Sequence, residues 1–230
     1  MNNITIGITA RNEKIGDTIY QIVSQNILKY IDNKANYIGL LTHTNNHIDI
    51  DILKKCDAII IGGGNNIYPY HYELVEYATN NNIPLLGICM GSQILGLTTQ
   101  NNDESKLIKV NNHNKKNSTH KVNIEEGSIL YRLFGKTITT NTRHDYALEK
   151  VNYPFKIIAR SEDGVIEAIE NTENGNYQLA LQWHPEDMDN MEAIFIDFIR
   201  ETLLRKINKS LKYYSQNIIS FFMYTYQKNT

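Results

Sequence analysis

The sequence predicts an α/β protein built on an open, mostly parallel β-sheet flanked by helices, with a small antiparallel extension. Three observations carry this reading. Short, continuously apolar runs such as Asp57–Ile61 (DAIII) and Pro84–Ile88 (PLLGI) alternate with helical patterns in the first half, the mark of strands buried on both faces. The second half strings together strand-like pieces separated by short turns, among them Glu162-Asp163-Gly164 and Asn174-Gly175-Asn176, an antiparallel pattern. The length of 230 residues suits one such body with a full hydrophobic core.

Taken in order, Ile4–Thr9 reads as a short buried strand. Ile19, Ile22, Val23, Ile27 and Ile31 fall at helical spacing and predict an amphipathic helix over Asp17–Ile31. A second strand follows at Asn36–Leu41, a short helix at Asp49–Lys55, and a third strand at Asp57–Ile61. His71–Asn80 is helical, Pro84–Ile88 is the fourth strand, and Ser92–Thr98 begins the next helix. Residues 100–120 are Asn-rich and polar, and read as loops around one short strand, Lys106–Val110. Strand signals then recur at Lys121–Ile124, Thr137–Asn141, Phe155–Arg160, Val165–Ile169 and Gln178–Gln182. Met188–Leu204 closes this part as a helix, with Met191, Ile194, Phe195, Phe198 and Ile199 on one stripe. Residues 1–205 are therefore expected to form one domain, and 206–230 a C-terminal tail with helical potential that packs on the body or on a partner subunit.

Apolar residues make up 41% and charged residues 21%, ordinary for a soluble globular protein. A formal charge of −2 gives no electrostatic reason to expect nucleic acid or an anionic membrane as partner. The first residues, MNNITIGITARNEK, lack the basic and apolar regions of a signal peptide. No run approaches the roughly 18 apolar residues of a membrane span; Ile218–Tyr226 is too short and too polar. Cys56 and Cys89 are the two cysteines, too few for a disulfide scaffold, so a reducing cytoplasmic setting is expected.

The segment Gly87-Ile88-Cys89-Met90-Gly91 stands where a strand ends and a helix begins. A nucleophile on such a sharp turn projects from the sheet, with the helix N-terminus behind it favouring thiolate over thiol. Taken alone, Cys89 reads as well as a buried core thiol. Gln182-Trp183-His184-Pro185-Glu186 supplies a base and, two residues on, a carboxylate able to orient it. An isolated His-x-Glu pair is more often a surface histidine beside a solvated acid. Gly62-Gly63-Gly64 closes the strand Asp57–Ile61, where backbone N–H groups can face a ligand. Neither a P-loop Lys-Ser/Thr nor a GxGxxG follows. His43 and His47 are four apart, but in an Asn-rich loop rather than on a helix, which disfavours a metal site. His113 and His120 lie among lysines in the polar stretch and are read as a solvated loop.

Together, PLLGICMGSQILGL, QWHPE and IIIGGGNNIYP resemble the class I glutamine amidotransferases, whose sheet is flavodoxin-like. NTRHDYAL (Asn141–Leu148) and SEDGVIEAIE extend the resemblance to the γ-glutamyl hydrolase and γ-glutamyl-γ-aminobutyrate hydrolase branch, over roughly residues 4–200. The resemblance implies Cys89 as nucleophile, His184 as base and acid, and Glu186 as orienter. It implies an oxyanion hole from the N–H groups of Met90 and a glycine of the Gly62–Gly64 turn, with Gly63 preferred. It further implies Gln93 and His144 as substrate-binding residues, a γ-glutamyl small molecule as substrate, and no metal or organic cofactor. Ile-Gly-Gly-Gly replaces the branch's frequent Pro-Gly-Gly, Asn66 stands where many members have Asp, and Tyr146 where polyamine-pathway relatives have Gln. Three functions follow from this pattern: a free-standing γ-glutamyl amide hydrolase, a glutaminase subunit feeding ammonia to a separate synthetase, or a binding module. The Cys-His-Glu set disfavours the last, and a homo-oligomer fits any of them.

Overall fold

The computed structural model describes residues 4–43 and 47–228, with side chains described through residue 215 except at position 116. A nine-stranded mixed sheet organises the chain. Strands β1 (Thr5–Thr9), β4 (Asn36–Leu40), β5 (Ala58–Ile61), β6 (Leu85–Ile88) and β13 (Gln178–Leu181) form its parallel part, in the spatial order β4-β1-β5-β6-β13. Strands β12 (Ile166–Asn171), β11 (Lys156–Ser161), β8 (Asn114–Ile124) and β9 (Thr137–Arg143) continue it antiparallel from β13.

The apolar runs behave as their composition demands. All four residues of β5 are buried, and they alternate between the two faces: Ile59 and Ile61 join one core, Ala58 and Ile60 the other. The first core lies under α3 (Pro69–Asn80) and α4 (Met90–Leu97). The second lies under α1 (Gln25–Ile31), α5 (Ile129–Phe134) and the long α6 (Glu192–Lys228), where Tyr30 stacks on Phe195 with centroids 4.4 Å apart. The stripe predicted on α6 is buried at Ile194, Phe195 and Phe198. The helix passes position 205 without interruption. Asp197 on α6 is held by both guanidinium nitrogens of Arg132 at 2.9 Å and by the Tyr177 hydroxyl at 2.9 Å, which fastens α6 to α5 and to the start of β13.

The structure departs from sequence expectation in three places. Asp17–Ile31 is not one helix. β2 (Arg11–Ile15) and β3 (Thr18–Ile22) form an antiparallel hairpin closed by Gly16-Asp17, with Gly16 at φ +62°, and α1 starts only at Gln25. Ile15 and Ile19 are exposed, so the isoleucine spacing that imitates a helical stripe buries no such stripe. β-Branched residues around a glycine turn favour the hairpin instead. Residues 114–120 are not a loop but the first part of β8, so the antiparallel extension has as many strand pairings as the parallel part. His113 and His120, expected to be solvated, are drawn inward: His113 is 3% exposed. β7 (Leu107–Lys109) pairs with β10 (Tyr146–Leu148) as a separate two-stranded ribbon. Among the described residues, no helix is long and apolar enough to cross a membrane.

Candidate active site

The carboxyl ends of the parallel strands converge on one crevice, the usual place for a ligand in an open α/β sheet. Strand β6 delivers Cys89, whose backbone sits at φ +52°, ψ −106° before α4 begins at Met90. A non-glycine residue pays strain of about 1–3 kcal/mol for such a conformation. Glycine is required on both sides. A Cβ at position 91 would lie 2.2 Å from the Ile61 carbonyl oxygen, and one at position 87 would lie 2.8 Å from the Gly91 backbone. The G-x-C-x-G pattern is therefore a packing requirement of the turn that projects the sulfur.

Beyond the end of β13, His184 and Glu186 sit in a short turn with Nδ1 of His184 2.8 Å from Oε1 of Glu186. Because Nδ1 is committed to that carboxylate, Nε2 is the nitrogen left for Cys89. Burial opposes charge on the imidazole, but hydrogen bonding and charge from Cys89 and Glu186 outweigh it and push the His184 pKa up to about 10. Asn141 on β9 fixes the histidine's main chain at two points: Oδ1 accepts the His184 N–H at 2.9 Å, and Nδ2 donates to the His184 carbonyl at 2.8 Å. Gln182 Nε2 approaches Cys89 Sγ at 3.9 Å. Asp187 accepts from Asn26 and from Arg143; burial works against its charge, yet these partners hold its carboxyl below the usual range.

The three glycines after β5 are not equivalent. The Gly62 N–H is already donated to Thr9 Oγ1 at 3.2 Å. Gly63 is the one turned to the cysteine and histidine, since a Cβ there would meet His184 Cε1 at 2.9 Å and Cys89 Cβ at 3.6 Å. Met90 N–H, at the first position of α4, has no intrahelical acceptor.

Two clefts flank this group. One, of about 560 Å³, is lined by Cys89, Met90, Gln93, Arg143, Asp145 and Tyr146 among others. The second, of about 380 Å³, includes Arg11, Gly63, His184 and Asp187. A third cleft of about 540 Å³, around Tyr72 and Gln178, lies at the opposite end of the parallel strands and contains none of these groups.

The sequence-predicted residues Cys89, His184, Glu186, Gly63, Met90 and Gln93 are thus brought together. Gln93 Nε2 donates to the Tyr146 carbonyl at 2.7 Å and to Gln182 Oε1 at 3.3 Å. His144 borders the cleft, but both of its ring nitrogens have protein partners: Nδ1 faces the Tyr146 carbonyl at 3.1 Å and Nε2 faces His113 Nδ1 at 3.2 Å. Asn141 and Gln182 escaped sequence reasoning as individual residues, although both lie inside segments already singled out, NTRHDYAL and QWHPE. His43 and His47 are not on a helix, His47 Nδ1 stands 3.5 Å from Glu73 of α3, and residues 44–46 between them fall outside the described residues.

A model of the family described as Peptidase C26 matches residues 70–186, from the start of α3 to Glu186. The gamma-glutamyl-gamma-aminobutyrate hydrolase PuuD of Escherichia coli (strain K12) is 24% identical over 221 residues, covering 81% of this chain and 87% of that protein. A CTP synthase of Sulfurisphaera tokodaii is 32% identical over 187 residues, 66% of this chain, which spans only 35% of the synthase. Among solved structures, a putative GMP synthase component from Thermoplasma acidophilum superposes with a TM-score of 0.68 at 18% identity, covering 91% of this chain and 99% of that one. The shared fold is that of the glutamine amidotransferases.

Proposed function

The chain belongs to the Peptidase C26 family, and from that premise we propose that it hydrolyses a γ-glutamyl amide through a γ-glutamyl thioester on Cys89. The observation that carries the reading is the convergence of three distant segments: Cys89 on its strained turn, His184 held by Glu186, and Gly63 packed against both.

The chemistry follows from these groups. The raised pKa of His184 favours an imidazolium beside a Cys89 thiolate, which the N-terminus of α4 stabilises further. The thiolate attacks the γ-carbonyl. The N–H groups of Met90 and Gly63 receive the developing oxyanion, each donor of this kind being worth roughly 3 kcal/mol. His184 Nε2 then protonates the leaving amine, the thioester forms, and His184 activates water for its hydrolysis. Glu186 keeps the imidazole in the orientation and tautomer these transfers need, and Asn141 fixes its backbone. The glutamyl group occupies the larger cleft, where Arg143 and Asp145 offer opposite charges to its α-carboxylate and α-ammonium groups. Gln93 braces that wall through Tyr146. Residues 1–205 constitute the catalytic unit in this reading, and the stretch 206–230 is an appendage to it. No organic cofactor enters any step.

A second reading, a glutaminase subunit supplying ammonia to a synthetase, is favoured by the likeness to a CTP synthase and to a GMP synthase component. One experiment separates the two. The purified chain is assayed against glutamine and a panel of larger γ-glutamyl amides, with and without a cell extract. A free hydrolase prefers the larger conjugates without any partner, because contacts to the leaving group add transition-state binding. Activity confined to glutamine, and dependent on the extract, would assign the chain to the ammonia donors.

A further inference from the structure

Three histidines expected in solvent or at the substrate surround one buried carboxylate. His113 precedes β8, His120 lies on β8, His144 joins β9 to β10, and Glu167 on β12 is 0% exposed. The nitrogens His113 Nδ1, His120 Nε2 and His144 Nε2 stand 3.4, 3.3 and 3.6 Å from Glu167 Oε1. His113 Nδ1 and His144 Nε2 are themselves 3.2 Å apart.

These spacings are long for charge-assisted hydrogen bonds, which run at about 2.7–2.9 Å. Neither Glu167 oxygen receives an aligned donor from the described residues, nor does His120 Nε2 find an aligned partner. For His113 Nδ1, His144 Nε2 and Glu167 Oε1 the distances instead match three neighbouring corners of a tetrahedron, and these three residues, without His120, have their ligand atoms mutually close enough to hold one ion. With metal–nitrogen and metal–oxygen bonds of about 2.0–2.2 Å, such corners lie about 3.3–3.6 Å apart.

The tautomers point the same way. His113 presents its Nε2 to Asp163 Oδ2 at 3.0 Å, and His144 presents its Nδ1 to the Tyr146 carbonyl at 3.1 Å. Both partners are acceptors, so each of those nitrogens carries the hydrogen. In the neutral rings, His113 Nδ1 and His144 Nε2 therefore meet as lone pairs, beside a carboxylate oxygen. Either a proton on one of these nitrogens or a metal ion between them satisfies the contact. A histidine anchored by a carboxylate or a backbone carbonyl on its far nitrogen is the usual outer support of a metal ligand.

We propose that His113, His144 and Glu167 form a three-ligand site for a divalent transition-metal ion of the zinc class. Two imidazoles and one carboxylate suit zinc or cobalt far better than calcium or magnesium, which prefer oxygen shells. The fourth tetrahedral position is open to water or, after a side-chain shift, to His120, whose Nε2 stands 3.3 Å from Glu167 Oε1. The ion ties the His144 segment to β8 and β12, and so stiffens the Tyr146 carbonyl that Gln93 uses beside Cys89. The site does not depend on the reaction proposed above.

The test uses the full chain carrying Cys89→Ala, which removes the thiol of the candidate active site as a zinc ligand. After chelation, Zn²⁺ or Co²⁺ is titrated while bound metal, visible absorption and thermal melting are followed. We expect one equivalent bound, an intense tetrahedral Co²⁺ spectrum without sulfur-to-metal charge transfer, and a Tm raised by about 5–10 °C with zinc at a hundredfold excess over Kd. Glu167→Gln should abolish binding. Asp163→Asn, on an exposed turn, should fold normally and weaken binding about 10–100-fold, so the site remains testable if Glu167→Gln does not fold. Failure to bind either ion, or a weak octahedral cobalt spectrum, would overturn the proposal. So would binding unaffected by Asp163→Asn and lost in His184→Ala, which would put the ion on the His184, Glu186 and Asp187 group.

Discussion

Replacing Gly63 with alanine perturbs the candidate site by a calculable amount. The new Cβ would stand 2.9 Å from His184 Cε1, whereas ordinary contacts begin at 3.4 Å, so the imidazole must retreat by about half an ångström. It has little freedom to do so. Glu186 holds Nδ1 at 2.8 Å and Asn141 clamps the main chain on both sides. Retreat stretches the carboxylate bond past about 3.2 Å, the outer limit for a good hydrogen bond, or turns Nε2 away from the sulfur. Misplacement of a catalytic group by about 1 Å costs on the order of 10²-fold in rate. We therefore expect Gly63→Ala to lower kcat/KM by about 10- to 100-fold, roughly 1.4–2.7 kcal/mol of transition-state stabilisation, with little change in Tm. The adjacent glycines are internal controls. Gly62→Ala would meet only Ile27 Cδ1 at 3.6 Å, an ordinary contact, and should be nearly silent. Gly64→Ala would press on the Met90 thioether tip at 2.9 Å, which can swing aside, so its effect should be intermediate. Steady-state kinetics on the best γ-glutamyl amide, with thermal melting of each variant, decide the matter. Full activity in Gly63→Ala, or equal losses in Gly62→Ala and Gly63→Ala, would refute the reasoning.

Cys89→Ala should abolish turnover, while Cys56 should resist thiol alkylation in the folded protein, because burial and then Asp57 push its thiol up to about 11; peptide mapping that found Cys56 labelled and Cys89 spared would reverse the assignment. Glu186→Gln should lose less activity than His184→Ala, since the acid orients the imidazole while the imidazole moves the proton; the opposite ranking at unchanged circular dichroism would contradict these roles. His71 makes a pH prediction away from both sites. It is 2% exposed, its Nδ1 accepts the Tyr68 N–H at 3.0 Å, and burial pushes its pKa down to about 4. As pH falls, the unfolded chain takes up this proton first, near 6.5, so the contribution is present above that value and lost as pH drops through 4. The full loss, complete below pH 4, is on the order of 3 kcal/mol, and roughly 2 kcal/mol of it falls between pH 7 and pH 5. Urea unfolding at pH 7 and pH 5 should show a smaller difference in His71→Gln than in the native protein, and identical differences would exclude the assignment.

The sequence by itself determined the parts of this protein whose signals are local. β5 and β6 are legible because a strand buried on both faces must be continuously apolar. The cysteine turn is legible because glycines flank Cys89 at positions 87 and 91, although the contact that forces Gly91, with the Ile61 carbonyl of β5, is a tertiary one. His184 and Glu186 are legible because orienter and base are two residues apart. Only the tertiary structure decided what depends on distant partners. Asn141 meets His184 from 43 positions away, and nothing at either position encodes that clamp. The isoleucines of Asp17–Ile31 fit a helical stripe, but no core face is offered to Ile19, so the hairpin wins. The polar residues before Val122 conceal a strand because most of them face solvent, while His113 and His120 on the same stretch point inward to a glutamate on β12. A buried polar cluster has no hydrophobic period to announce it; its members become neighbours only when the sheet brings β8, β9 and β12 together.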